Sequence, residues 1–372
     1  MNEIATNAVY VNRQGLIGVK RHIIKINDNS TLLRTLEVGI CGTDRDLAAG
    51  NLSVFKPALG SDTLIIGHEC LAEVYRLPKS LGERDLEFSE GDIVVPIVRR
   101  PCNKCRMCKI GMPEYCESGE FEELGIIGVN GCMTEYFLDD IYNLVKVPKE
   151  IKDIAVLTEP LSGLEKAIKQ IIDYQKRYPW RCEDGTLKCK NALIIGTGPI
   201  AFLIAIFLKT LGLSKIVMSN VRDLKDIEKS IVNELGLKFY NSSQGYSDLY
   251  SILGSFDLVF DTAGDPSSII DILNYMSYNS ILLLYAFPRG KVAASLDPKI
   301  ITNIVYRNIG ILGSVTGPKW GFNYALMHLS AWKLTYGDIL KKLITHYLTL
   351  DEVQNVLKHK LPNEIKAVIK FH

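Results

Sequence analysis

From about residue 192, short apolar runs rich in Val, Ile and Leu alternate with helical stretches, a pattern that predicts a parallel sheet built from strand–helix–strand units. The expected strands are Ala192–Ile195, Ile216–Ser219, Lys238–Tyr240, Leu258–Asp261, Ile281–Tyr285 and Ile309–Leu312, enough for a complete doubly wound sheet. Upstream, Asp92–Val98 and its neighbours read as short strands between glycine and proline turns, so the first part of the chain is mostly β. Pro160 at a first helical position, then Leu161, Leu164, Ile168, Ile171 and Ile172, make an apolar stripe at helical spacing, and this helix joins the two parts. After Ser314 the pattern shifts through a Trp320–Tyr336 segment and a helix near Asp351–Lys358 to a strand at Ala367–Phe371. That tail is expected to return to the first domain. The fold class is α/β, with boundaries expected at 1–188, 189–316 and 317–372.

Composition narrows the classes. The 372 residues suit two domains, and 47% hydrophobic with 23% charged residues excludes a disordered or fibrous chain. With 43 Lys+Arg against 42 Asp+Glu there is no bulk charge to hold nucleic acid or an anionic membrane. No apolar run approaches the roughly 20 residues that span a bilayer; the best, Ile200–Leu208, reads as a buried helix. The first residues lack the charged and apolar regions of a signal peptide, so the cytoplasm is the expected location.

Strand Ala192–Ile195 runs into Gly196-Thr197-Gly198-Pro199-Ile200-Ala201 and then an apolar helix, which is the context a dinucleotide-binding loop requires. Gly196 permits the tight turn, Gly198 admits a pyrophosphate to the backbone, and Ala201 sits where helix and strand pack. The second strand ends Ser219-Asn220-Val221-Arg222, without the acidic residue that selects NAD. Asn220 can bond either ribose form and Arg222 can pair with a 2′-phosphate, so NADP is expected and NAD stays open. Asp223 is the alternative acid if the register slips.

Cys102, Cys105, Cys108 and Cys116 crowd into one loop, enough for a tetrahedral zinc ion with no open position, hence a structural site. Lys104, Arg106 and Lys109 are expected to offset the thiolate charge. The same cations, with Arg99 and Arg100, permit a rival reading as a nucleic-acid-binding zinc module. Cys182 and Cys189 are expected to be free thiols, with a disulfide as the alternative. Cys70 and Cys132 carry no assigned role.

A second constellation consists of Cys41-Gly42-Thr43-Asp44-Arg45, Gly67-His68-Glu69 and Thr158-Glu159-Pro160, which supply a thiolate, an imidazole and carboxylates from separate segments. In this order, with the cysteine loop and the glycine loop, the chain resembles the zinc-containing medium-chain alcohol dehydrogenases. The strings ICGTDR (40–45), VRRP (98–101), GEF (119–121), TEPL (158–161), DGTL (184–187) and NEIK (363–366) resemble the archaeal glucose dehydrogenases within that family.

The resemblance implies a GroES-like, mostly β catalytic domain plus a Rossmann domain, and assembly as a homo-oligomer, a tetramer. It implies catalytic zinc on Cys41, His68 and Glu69, with Glu159 as a fourth or exchangeable ligand, hence two zinc ions per chain. Thr43 then relays the departing proton and Glu123 holds the sugar. The implied activity is oxidation of an aldose such as D-glucose, galactose or xylose at C1 to the lactone, with hydride passing to NADP or NAD across the cleft between the domains. Val98, Gly163 and Thr316 stand where the glucose-binding pattern has Asn, Asp and Asn, so sugar preference is open. The alternatives are a zinc-dependent polyol or alcohol dehydrogenase and, from another class, a non-catalytic nucleotide-binding regulator.

Overall fold

Two compact units emerge from the chain, residues 1–165 with 316–372 and residues 166–315. The computed structural model describes residues 3–79, 87–288 and 297–371. Among these, no helix is long and apolar enough to cross a membrane.

The second unit carries a six-stranded parallel sheet in the order Lys238–Asn241, Lys215–Asn220, Asn191–Ile195, Phe256–Asp261, Met276–Leu284, Gly310–Gly313. This is the doubly wound order, with the first strand central. Leu193, Ile195, Val217, Val259 and Leu282 fill one face of the sheet with Phe256 and Ile272. Met276–Leu284 begins five residues earlier than its apolar run at Ile281, because Met276 pairs with Phe256 across a register shift. Its polar start is held by pairing, a signal that hydrophobicity does not carry.

In the first unit a seven-stranded sheet is formed mostly by antiparallel pairs. Its order is Leu144–Lys146, Ile93–Pro96, Glu69–Arg76, Thr31–Gly39, Lys366–Lys370, Ile344–Leu348, with Tyr136–Asp139 also on Thr31–Gly39. The C-terminal strand therefore does return to the first part of the chain. Helix Thr158–Gln175 begins two residues before the expected start, which makes Pro160 its third residue. A first-turn position still needs no N–H donor, so proline is tolerated. Leu161, Leu164, Ile168 and Ile171 are buried as the stripe requires. The segment after Pro318 is a helix, Lys319–Leu343, interrupted at Tyr336.

One expectation is overturned: Cys182 and Cys189 form a disulfide, with Cα atoms 5.9 Å apart. Between them Cys182 N–H donates to Thr186 O and Gly185 N–H to Cys182 O, and Gly185 takes a positive φ of 77°. This tight turn brings two residues seven positions apart within bridging distance. Denatured, metal-free protein is expected to titrate seven thiols without reductant and nine with it; nine in both cases would mean an open pair. Cys189→Ser should cost roughly 2 kcal/mol, read as a lowered Tm, since the loop closed is short.

Candidate active site

Cys41 precedes the short helix Gly42–Ala48, and its N–H donates to Asp44 Oδ2 at 2.8 Å. Asp44 is fully buried, and its other oxygen lies 3.3 Å from His68 Nδ1. The contact is an ion-pair distance, and a carboxylate on one ring nitrogen is the arrangement in which the other would serve a metal. Glu69 starts the strand Glu69–Arg76, one residue beyond His68. One ligand atom from each of Cys41, His68 and Glu69 lies within 4.8 Å of the others. Sulfur, nitrogen and oxygen donors at such spacing fit zinc, which accepts all three. Burial disfavours the imidazolium, but Asp44 and Cys41 together hold His68 well above its ordinary pKa. A ligating imidazole must be neutral, so metal would displace that proton.

Glu69 is held from behind. Lys366 Nζ donates to Glu69 Oε1 at 2.7 Å and Oε2 at 2.5 Å, and to Ile40 O at 3.3 Å, with both side chains buried. Lys366 lies on the C-terminal strand, and the strand Thr31–Gly39 runs between it and Glu69–Arg76. Gly39 sits opposite Glu69 in register, and a Cβ there would stand 2.2 Å from Glu69 Oε2. The missing side chain is the space into which the carboxylate packs. Burial opposes the ammonium, but Glu69 and Cys41 raise the Lys366 pKa, so it stays charged. Nearby, Arg45 Nη2 donates to both oxygens of Glu364, at 2.8 and 3.0 Å.

Glu159, in the first turn of its helix, lies outside the tight three-residue group but within electrostatic reach of His68, Glu69 and Glu123. Burial, assisted by Glu69 and Glu123 against the pull of His68, pushes its carboxyl up to about 7. Thr43 Oγ1 is 3.9 Å from Cys41 Sγ. Glu123 faces Arg99 across paired strands, and Arg99 Nε and Nη2 donate to its Oε1 at 2.9 and 2.7 Å. The same guanidinium stacks 3.5 Å from the centre of the Phe121 ring.

The four cysteines Cys102, Cys105, Cys108 and Cys116 form a second group with ligand atoms within 4.8 Å of one another. Backbone N–H groups of Lys104 and Cys105 point at Cys102 Sγ, and that of Cys108 at Cys105 Sγ. The Cys105 N–H foremost draws the Cys102 thiol down to about 5, while burial pushes Cys108 up to about 12. One cation shared by all four would favour the thiolate at every position, which fits a closed structural zinc. Lys104 and Arg106 pair with Glu120 and Glu117 at 3.0 and 2.9 Å, and Lys104 also lies within electrostatic reach of Cys102. Arg99 and Arg100 are buried on Glu123 and Asp139, which removes them from the nucleic-acid reading.

In the other unit, Gly196 takes φ of 119°, and a Cβ there would meet Thr262 Oγ1 at 2.4 Å. Gly198 opens helix Pro199–Thr210, whose first turn no side chain caps, and a Cβ at Gly198 would meet nothing within 4 Å. An uncapped helix start behind open space fits a pyrophosphate. Pro199 and Ile200 begin the helix, and Ala201 is buried. Asn220 ends its strand and donates to Thr197 Oγ1 at 2.9 Å. Arg222 pairs with Glu228 at 2.7 and 2.8 Å. Asp223 lies beyond the strand end, its carboxylate accepting from Asn241 at 2.7 Å.

Asp44, Lys366, Thr197 and Glu228 join the candidate sites only in the structure, and Arg99 does so as the partner of Glu123. Asp44 and Lys366 lie inside the strings ICGTDR and NEIK, and Arg99 inside VRRP, so their signal was present. Glu228 had none, because nothing in the sequence relates it to Arg222 or Thr197.

Two outcomes are expected. Cys116→Ser should lose about one zinc per chain by metal analysis and lower Tm; unchanged zinc content would exclude a closed four-cysteine site. Lys366→Met should destabilise metal-free protein by about 3–5 kcal/mol, since Glu69 is left buried without a countercharge. Added zinc should recover part of that Tm loss, and an equal loss with and without zinc would detach Glu69 from the metal site.

A family model described as the alcohol dehydrogenase GroES-like domain matches residues 27–149, and one described as glucose dehydrogenase C-terminus matches residues 152–371. The chain is 42% identical to glucose 1-dehydrogenase 2 of Saccharolobus solfataricus, covering 91% of this chain and 90% of that protein. It is 40% identical to glucose 1-dehydrogenase of Metallosphaera sedula, covering 92% of each. A solved structure of Haloferax mediterranei glucose dehydrogenase, in complex with NADP, zinc and gluconolactone, aligns with a TM-score of 0.82 at 25% identity over 98% of this chain and 99% of that one. Between them the two family models span both cysteine-bearing metal groups and the glycine loop, and on these matches the chain belongs to the zinc-containing medium-chain alcohol dehydrogenase family, in its glucose dehydrogenase branch.

Proposed function

We propose that the protein oxidises an aldose, D-glucose foremost, at C1 to the lactone, with NADP as hydride acceptor and NAD as a second one. The observation that carries this is the convergence of Cys41, His68 and Glu69 within 4.8 Å, in a chain 42% identical to a glucose 1-dehydrogenase. When bound, zinc supplies a Lewis acid for the substrate oxygen and the nicotinamide supplies the hydride acceptor.

The residues divide the remaining tasks. Asp44 fixes the His68 ring through Nδ1, and Lys366 fixes the Glu69 carboxylate. The Thr43 hydroxyl, two residues from Cys41, accepts the proton leaving the C1 hydroxyl and passes its own outward. Glu159, held near neutrality, exchanges a hydrogen bond with substrate or joins the metal ligands. Arg99 occupies Oε1 of Glu123, so Oε2 is left to accept from a sugar hydroxyl. Val98 is buried and apolar, and Thr316 has φ of 57° with a buried hydroxyl lacking a partner. Those two positions and Gly163 are where preference among aldoses is set.

A cytoplasmic homo-oligomer, a tetramer by family resemblance, belongs to the same proposal. Support for the oligomer is the edge strand Gly310–Gly313, with Ile311 exposed on it and Val305 and Tyr306 exposed shortly before it in sequence. Purified protein should reduce NADP with glucose, galactose or xylose and react far more slowly with ethanol or polyols. Chelation should abolish turnover. His68→Ala should remove most turnover while NADP binding is kept. If ethanol or a polyol outpaces every sugar, the alternative dehydrogenase reading takes over; if no substrate turns over, the non-catalytic regulator does.

A further inference from the structure

Glu228 is more buried, and more heavily bonded, than a residue that merely caps a helix. It is the third residue of helix Asp226–Glu234 and 1% exposed. Its Oε1 accepts from Thr197 Oγ1 at 2.9 Å and Arg222 Nη2 at 2.7 Å, and its Oε2 from Arg222 Nη1 and Lys225 N–H, both at 2.8 Å. Capping uses only the Lys225 contact. The other bonds tie together the glycine loop, the end of the second strand and the following helix. Burial raises the Glu228 carboxyl, but Arg222, Lys225 and Thr197 outweigh it and keep the pKa below the ordinary value, so the group is a carboxylate.

A guanidinium has two edges that can bond an anion bidentately, Nη1 with Nη2 and Nε with Nη2. Glu228 occupies the first. Among the described residues the second is engaged only by a long 3.2 Å contact from Nη2 to Thr197 Oγ1, and the Arg222 side chain is 42% exposed against 2% for Glu228. Nη1 also donates to Asp223 O at 2.7 Å, so the fork is fixed on its inner side and open on its outer side. A surface arginine without such an anchor retains rotamer entropy, which binding a phosphate would have to remove.

We propose that Glu228 is a positioning residue for cofactor choice: it locks Arg222 beside Thr197 so that the Nε–Nη2 edge is presented to the 2′-phosphate of NADP. It contributes nothing to a ribose 2′-hydroxyl. The proposal rests on the reading of NADP as cofactor.

The test is calorimetric titration of the full-length, zinc-loaded protein with adenosine 2′,5′-bisphosphate and with 5′-AMP, which needs no turnover. Wild type should favour the bisphosphate, and Arg222→Ala should lose most of that preference. Glu228→Gln should reduce the preference at least fivefold with 5′-AMP affinity nearly unchanged. Glu228→Asp keeps the charge and the cap but is too short to hold the fork and Lys225 N–H together, so it should lose preference as well. Equal losses for both nucleotides, or preference kept in both variants, would leave Glu228 a purely structural cap and overturn the proposal. A rise in preference would mean that Glu228 competes with the phosphate, and overturns it too. No preference in wild type would instead remove the NADP reading on which it rests.

Discussion

The buried pair of Glu69 and Lys366 is the constraint on which the candidate metal site depends. Removing both charges from water is expensive, and the pair is retained only because each satisfies the other at 2.5–2.7 Å. Three segments distant in sequence must coincide for that to happen: the strand beginning at Glu69, the strand ending at Gly39, and the C-terminal strand carrying Lys366. Gly39 makes the crossing feasible because it has no side chain where the carboxylate lies. The pair Arg45–Glu364 ties the helix Gly42–Ala48, which follows Gly39, to the chain just before Lys366. The C-terminal segment is thereby part of the site, although it is more than 290 residues from Glu69 in sequence.

The two cysteine-bearing groups differ in ways that match the roles proposed for them. At Cys41 the donor set is mixed, and the buried Glu159 carboxyl, pushed up to about 7, lies within electrostatic reach of His68 and Glu69, so a proton can exchange there near neutral pH. The four-cysteine group is uniform, sits in a loop of short turns, and is bound chiefly to itself and to backbone N–H groups. The first arrangement suits reaction and the second suits holding a lobe in shape. In the nucleotide-binding unit, chemistry is concentrated in backbone geometry at Gly196 and Gly198 and in the network joining Thr197, Asn220, Arg222 and Glu228.

Short apolar runs located the strands of the parallel sheet, most closely where a strand is buried and therefore reads as a continuous apolar run, as at Asn191–Ile195. The same patterning marked the linking helix, residue types at close spacing marked the glycine loop and the four-cysteine loop, and the group of Cys41, His68 and Glu69 was legible only through the family resemblance, since its members come from separate segments. What none of these could decide were the pairings between residues distant in sequence. Lys366 on Glu69, Arg99 on Glu123 and Glu228 on Arg222 are charges that look solvated in a linear reading and are buried only because strands or helix ends bring them together. The Cys182–Cys189 bond likewise depends on a local turn whose closure the residue types alone leave open. Local patterns record which faces leave water and which backbone positions need glycine; which charge compensates which is set by the tertiary structure, because a buried charge is tolerated only where packing has placed its partner.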